Sequence, residues 1–145
     1  MLLAASQQGL CGAWFEGQRD WPDSSGWTIT RRHPVLQQAE AQLAEYFAGQ
    51  RHRFALPMHF AWGTPFQTAV WQALCEIDFG QTCSYADIAR HIGRPQAMRA
   101  VGAAIGLNPI SVIMPCHRVL GRDGSLTGYS GGLDRKRALL HLEGQ

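Results

Sequence analysis

The sequence predicts an α+β fold. A small N-terminal α/β domain, an antiparallel sheet plus a helix, is expected over residues 1–62. A mainly helical domain with a winged-helix-like helix-turn-helix is expected over 63–145. Three observations carry this reading. Short β-like apolar runs broken by a glycine turn open the chain, a single helical apolar stripe follows them, and two short helical patterns separated by a tight turn lie near the centre of the second half. With 145 residues, 46% of them apolar, the chain can bury a real core.

Taken in order, "LLAAS" and "LCGAWFEG", separated by "QQG", read as a hairpin. "VLQQAEAQLAEYFAG" places Val35, Leu36, Ala39, Leu43, Tyr46 and Phe47 on one helical stripe and stops at Gly49. "RFALPMHFAW" can supply another strand. "GTPFQ", Gly63 to Gln67, forms the boundary, its Pro65 turn leading into the helix "FQTAVWQALCEI". "SYADIARHIG" has Ser84 as N-cap, Ile88, Ala89 and Ile92 on one side and Gly93 as its stop. "PQAMRAVGAAIGLN" places Pro95 in a first turn and ends at Asn108 and Pro109. Helix, tight turn and helix give the helix-turn-helix pattern, which helical hairpins of other kinds share. "DRKRALLHLEG" reads as a terminal helix, with Glu143 poorly placed for the helix dipole just before the Gly144 stop.

Composition bounds the function. No apolar run is long enough to span a membrane, and "MLLAASQQG" lacks the basic start and apolar centre of a signal peptide, so a cytoplasmic protein is expected. Cys11, Cys75, Cys83 and Cys116 show neither CxxC nor zinc-finger spacing; free thiols, no structural metal and no cofactor follow, with the first three as small apolar core residues. The net charge of +2 is unevenly spread. No acid occurs between Asp87 and Asp123, whereas Arg90, Arg94, Arg99, Arg118 and Arg122 all do. A solvated face would ordinarily mix signs, so a one-signed stretch points to a polyanion. After Arg99, the residues Ala100, Val101, Gly102, Ala103, Ala104, Ile105 and Gly106 are too small to read base edges in a major groove. They suit close approach to a minor groove, with Arg99 as the one long side chain available for insertion, although small residues also pack helix against helix.

"VIMPCHRVLG" sets Cys116 between a proline and a histidine, with Arg118 next in line. Local sequence leaves two readings open: a structural cysteine with polar neighbours, or a thiol whose pKa is lowered by a base and positive charge.

"GTPFQTAVWQAL", "SYADIA", "RAVGAAIGLNP", "MPCHRV" and "YSGG", in this order and spacing, closely resemble the O6-alkylguanine-DNA alkyltransferases, also called methylated-DNA–protein-cysteine methyltransferases. The similarity is strong over residues 63 to 144 and generic before them. It implies a stand-alone, monomeric bacterial-type protein that repairs double-stranded DNA carrying alkylated bases. The alkyl group of O6-alkylguanine, and by extension O4-alkylthymine, would pass irreversibly and stoichiometrically to Cys116. Alkyltransferase-like proteins, which bind alkylated DNA without repairing it, carry tryptophan where this chain has Cys116. No counterpart of the animal members' zinc site is found.

The resemblance also implies roles. Cys116 is the nucleophile, His117 its base acting through a water, and Glu143 the group that orients His117. Tyr85 donates a proton to the departing guanine and helps to rotate the nucleotide. Arg99 fills the space left by the rotated base, and Ala100, Gly102, Ala103, Arg90 and Arg94 face the DNA with it. The pocket is assigned to Asn108, Val119 through its carbonyl, Ile105, Tyr129 as lid, Ser130 through its amide, and Gly131. Flipping is needed because the alkylated oxygen lies inside the stack. Two other classes stay open on residues alone: a cysteine hydrolase, and a DNA-binding regulator or non-repairing sensor.

Overall fold

The β-prone opening runs fold back over Gln7 and Gln8, so that β1 (Leu2–Ser6) pairs antiparallel with β2 (Gly9–Trp14) in the computed structural model, which describes residues 1–145. The register shifts between Ala4 and Ala5, leaving Cys11 as the extra residue of a bulge. β2 is buried along its whole length because its other edge is also covered. Its Leu10 N–H donates to the Pro57 carbonyl at 2.8 Å, and its carbonyl accepts from His59 N–H at 2.8 Å. The strand expected in "RFALPMHFAW" is reduced to this single parallel bridge at Met58. Pro57, with no N–H to donate, does not extend the ladder.

Helix α1 (Pro34–Phe47) is capped by the His33 ring and turns Ala39, Leu43 and Tyr46 inward. Helix α2 (Pro65–Leu74) starts at a capping box in which Thr64 and Gln67 satisfy each other's backbone N–H groups. It is shorter than the apolar pattern "FQTAVWQALCEI" suggests. Cys75 is its C-cap and is exposed, so it is not a core residue.

The central helices are α3 (Tyr85–His91), which opens on a second capping box between Ser84 and Asp87, and α4 (Met98–Gly106). Residues 92–97 connect them. Pro95 lies in that connection and not in the first turn of α4: Ala97 N–H donates to the Arg94 carbonyl at 2.9 Å, so Pro95 takes the second place of a β-turn, where its fixed φ is favoured. Trp71 of α2 donates its indole N–H to the Ala104 carbonyl at 2.8 Å, clamping α4 from behind. A two-residue parallel pair, β3 (Cys83–Ser84) with β4 (Val119–Leu120), joins the entry of α3 to the cysteine segment, and α5 (Leu133–Leu142) closes the chain. No helix is long and apolar enough to cross a membrane.

One core of 21 buried residues includes Leu10, Ala13 and Tyr46 from the first half and Val70, Ile110, Met114 and Cys116 from the second. The N-terminal half is therefore built directly against the segment that carries the cysteine.

Candidate active site

The segment from Asn108 to Pro115 delivers the cysteine, and both halves of the chain hold it. Asn108 donates its side-chain amide to the Met114 carbonyl at 2.7 Å and accepts Ile110 N–H at 2.9 Å, closing the segment on itself. From the other side β2 grips it: Ala13 N–H donates to the Pro109 carbonyl at 2.8 Å, and Ser111 N–H donates to the Ala13 carbonyl at 2.9 Å. Within it Val112 has a φ of 74°, a conformation that costs a β-branched residue about 1–3 kcal/mol and that only over-determined surroundings maintain. Cys116, His117 and Arg118 then form one buried 3₁₀ turn.

Behind the cysteine lies a relay. His117 Nε2 is 2.6 Å from Glu143 Oε2, and both side chains are buried. A carboxylate at this nitrogen places the imidazole proton on Nε2 and leaves Nδ1 as the free base. Nδ1 is buried and has no protein partner, and no direct hydrogen bond joins it to Cys116. Arg118 donates to Glu143 through Nε at 2.7 Å and Nη2 at 3.1 Å, and to the Ile77 carbonyl through Nη1. Burial pushes the Glu143 pKa up, but hydrogen bonds from His117 and Arg118 outweigh it and hold the carboxyl well below its ordinary range. Burial pulls that of His117 down against the opposing pull of Glu143. The imidazole is therefore neutral and able to accept a proton. Of the two readings left open for Cys116, the surroundings disfavour a standing thiolate: burial raises its pKa, and the Asn108 amide, the Lys136 charge, its own backbone N–H and Tyr129 only partly offset that. The sulfur rests as a thiol.

Cys116 opens into a cavity of about 90 Å³; of the residues assigned to the pocket, Ile105, Tyr129 and Ser130 line it, together with Tyr85 and Gly102. Arg19, Gly106 and Gly128 also line it. Tyr129 Oη is buried against the sulfur with no hydrogen bond of acceptable geometry. Ser130 Oγ donates to the Gly106 carbonyl at 2.5 Å, and the Ser130 carbonyl accepts Arg19 N–H at 3.0 Å. Gly131 stands behind the lid and does not line the cavity; a Cβ there would meet the Tyr129 ring at 2.7 Å and Phe15 at 3.0 Å. Asn108 and Val119 are likewise not among its walls. The Val119 carbonyl accepts from Lys136 Nζ at 2.7 Å, which leaves it one further lone pair. A larger hollow of about 400 Å³ beside Trp14, Trp27 and Trp62 does not reach the cysteine. No group of three or more His, Cys, Asp or Glu side chains is arranged to hold a metal ion.

Residues 65–145 match the family described as 6-O-methylguanine DNA methyltransferase, DNA binding domain, and residues 1–60 match 6-O-methylguanine DNA methyltransferase, ribonuclease-like domain. The chain belongs to the 6-O-methylguanine DNA methyltransferase family. A methylated-DNA–protein-cysteine methyltransferase of Methanosarcina barkeri is 45% identical over 99% of this chain and 89% of its own length. An inducible Bacillus subtilis protein of the same name is 55% identical over 74% of this chain, and the match spans 60% of that protein. Mycobacterium tuberculosis OGT in complex with DNA superposes with a TM-score of 0.88 at 45% identity, covering 97% of this chain and 84% of that one.

For a chain of this family the outward face of α4 is the surface of interest. Arg99, Ala100 and Ala103 are exposed and Gly102 is half-buried, while Val101, Ala104 and Ile105 face the core. The arginine-rich stretch is less positive at the surface than its sequence suggests. Arg90 is paired with Asp87, and Arg118 is buried on Glu143. Arg94, Arg99 and Arg122 form no ion pair.

Besides Arg19 on the cavity wall, two buried groups of the site are not legible in the sequence. Lys136, fully buried, donates to the carbonyls of Val119 and Thr127 at 2.7 Å each, and "DRKR" looks like an ordinary solvated charge run. Tyr46 looks like one more apolar position of α1, yet its hydroxyl donates to Glu143 Oε2 at 2.5 Å.

Proposed function

We propose that this chain repairs alkylated guanine in DNA by transferring the alkyl group to Cys116. The observation that carries the reading is Cys116 itself, at the wall of a small cavity and backed by a buried His117–Glu143 pair. Displacement at saturated carbon needs a soft nucleophile. Because the resting thiol is protonated, its proton must be taken at the moment of reaction, and His117 Nδ1 is the free base for it, acting through a bridging water. Glu143 keeps the imidazole oriented and stabilises its charged form. The Cys116 sulfur then bonds to the alkyl carbon as the carbon–oxygen bond breaks, and the electron pair leaves on guanine. Tyr85, whose hydroxyl accepts a hydrogen bond from Thr127 at 3.1 Å, supplies a proton to the purine. In net terms the thiol proton passes to guanine and the alkyl group to sulfur.

The DNA would meet the small-residue face of α4, with Arg99 filling the place of the flipped nucleotide and Arg94 on backbone phosphate. Arg90 contributes less than its sequence position suggests because Asp87 already neutralises it. The reading places the protein in the cytoplasm, where thiols stay reduced. A sensor or regulator is not favoured, since neither needs a base and carboxylate behind a cysteine.

Incubation with duplex DNA containing O6-methylguanine, followed by intact and peptide mass measurement, tests the reading. A gain of one methyl on the Cys116 peptide, with no turnover beyond one equivalent, is expected. Label on Cys11, Cys75 or Cys83, or repeated turnover, would overturn it.

A further inference from the structure

We infer that Tyr46, supplied by the N-terminal half, is a positioning residue of the alkyl-transfer relay, its hydroxyl holding the same Glu143 oxygen that His117 uses. The inference rests on the reading of Cys116 as the alkyl acceptor.

The ring of Tyr46 is fully buried on the inner face of α1 and packed by Phe47, Phe54 and Phe79 at centroid distances of 5.3, 5.5 and 6.2 Å. Packing alone asks only for an apolar side chain, as Ala39 and Leu43 on the same face show. A hydroxyl buried there is costly unless it is bonded, and its partner is Glu143 Oε2 at 2.5 Å, across 97 residues of sequence. Burial and the neighbouring Glu143 carboxylate raise the tyrosine's pKa far above its ordinary value, so it stays a neutral donor.

Glu143 is thereby fully committed. Oε2 receives Tyr46, His117 Nε2–H and Arg118 Nη2–H; Oε1 receives Arg118 Nε–H and, at 3.4 Å, Gly80 N–H. The charged and titratable groups facing this pair are those of α1 (Tyr46), the 3₁₀ turn (His117, Arg118) and α5 (Lys136, which bears on His117). Donors that share one oxygen weaken each other's hold on it. Tyr46 therefore limits how strongly Glu143 attracts the imidazole proton, keeping His117 unprotonated and available to Cys116. Without the hydroxyl the carboxylate becomes more basic and retains the imidazolium to higher pH.

The experiment is the single-turnover rate of reaction with free O6-benzylguanine against pH for wild type, Tyr46→Phe and Phe54→Leu, each with its melting temperature and the site of alkylation by peptide mass. Tyr46→Phe is expected to raise the low-pH midpoint of the rate by about one unit, a loss of roughly tenfold below the midpoint that fades at higher pH. Phe54→Leu, which loosens the same ring and leaves the hydroxyl, is expected to lower the melting temperature without moving the midpoint. An unmoved midpoint in Tyr46→Phe, or an equal shift in Phe54→Leu, overturns the inference. If wild type does not react at Cys116 at all, the underlying reading fails instead, and the two failures are told apart by the wild-type arm alone.

Discussion

Glu143 shows how a residue that is wrong for its local position can be right for the molecule. A carboxylate at the C-cap of α5 opposes the helix dipole, yet buried there it is the counter-charge of Arg118 and the hydrogen-bond acceptor of the neutral His117. Removing one partner of such a pair leaves the other uncompensated. Glu143→Gln is therefore expected to cost about 3 kcal/mol or more at neutral pH, near ten degrees in melting temperature. The sign with pH follows from the two shifts. Glu143 is depressed in the folded state, so its stabilisation is whole above the ordinary carboxylate value of 4.5 and is lost as pH falls below it. His117 is depressed too, and below its ordinary value of 6.5 the unfolded chain takes up a proton that the folded one resists, so its contribution also falls with acid. Wild type should lose stability progressively below about pH 6.5, and Glu143→Gln should show a shallower fall between pH 5 and 3; denaturant midpoints across that range measure it. The thiols make a related point. Burial raises Cys83 to about 11, and Cys116 is raised as well. Cys116 therefore offers no resting thiolate, and on the proposed mechanism its selectivity comes from His117.

Helix α4 works as an element because its two faces differ in residue size. Val101, Ala104 and Ile105 fill the core side, while the outer face is nearly flat apart from Arg99. Arg99→Ala is expected to slow repair in duplex DNA by at least tenfold and to leave the reaction with free O6-benzylguanine within twofold, since a single base needs no flipping. Equal losses on both substrates would assign Arg99 to the pocket or the fold. Elements of this length were readable in the sequence where capping and apolar spacing agree, as at Ser84 with Ile88 and Ala89. They were misread where one residue serves two structures: Pro95 suits a helix start and a β-turn equally, and the surrounding hydrogen bonds decide. The pair β3 and β4, two residues each, is too short to carry any period. In the site, Cys116, His117 and Arg118 are visible because they are consecutive, whereas the motifs reach only part of the cavity wall: Ile105, Tyr129 and Ser130 line it, and Asn108, Val119 and Gly131 do not. Tyr46 and Lys136 were hidden, because a tyrosine in an amphipathic stripe and a lysine in a basic run acquire their roles only from what lies across the core.

At the scale of the whole molecule the reactive sulfur is part of the structural core, and the reaction must therefore change the stability of everything around it. Cys116 is only 6% exposed and belongs to the same cluster as Leu10, Tyr46 and Ile110. Its segment is fastened to β2 through Ala13, its relay to α1 through Tyr46, and the lid loop to the N-terminal half through Arg19 and Ser130. An alkyl group added to the sulfur enters the cavity that Tyr129 and Ser130 line, and it removes the thiol proton that the proposed mechanism passes to His117. Overfilling a packed site costs roughly 1–3 kcal/mol. For a chain of this length that is a fall of about 3–10 °C in melting temperature. Strain at Cys116 would pass through the Asn108 segment to the end of α4, so the helix proposed to meet DNA should loosen with it. Melting the protein before and after complete reaction with free O6-benzylguanine, with Cys116→Ser treated identically, measures the first effect; affinity for undamaged duplex DNA before and after measures the second. An alkylated protein that melts at or above the unreacted temperature, with unchanged DNA affinity, would mean that the cavity admits the adduct without strain and that the spent protein persists on DNA.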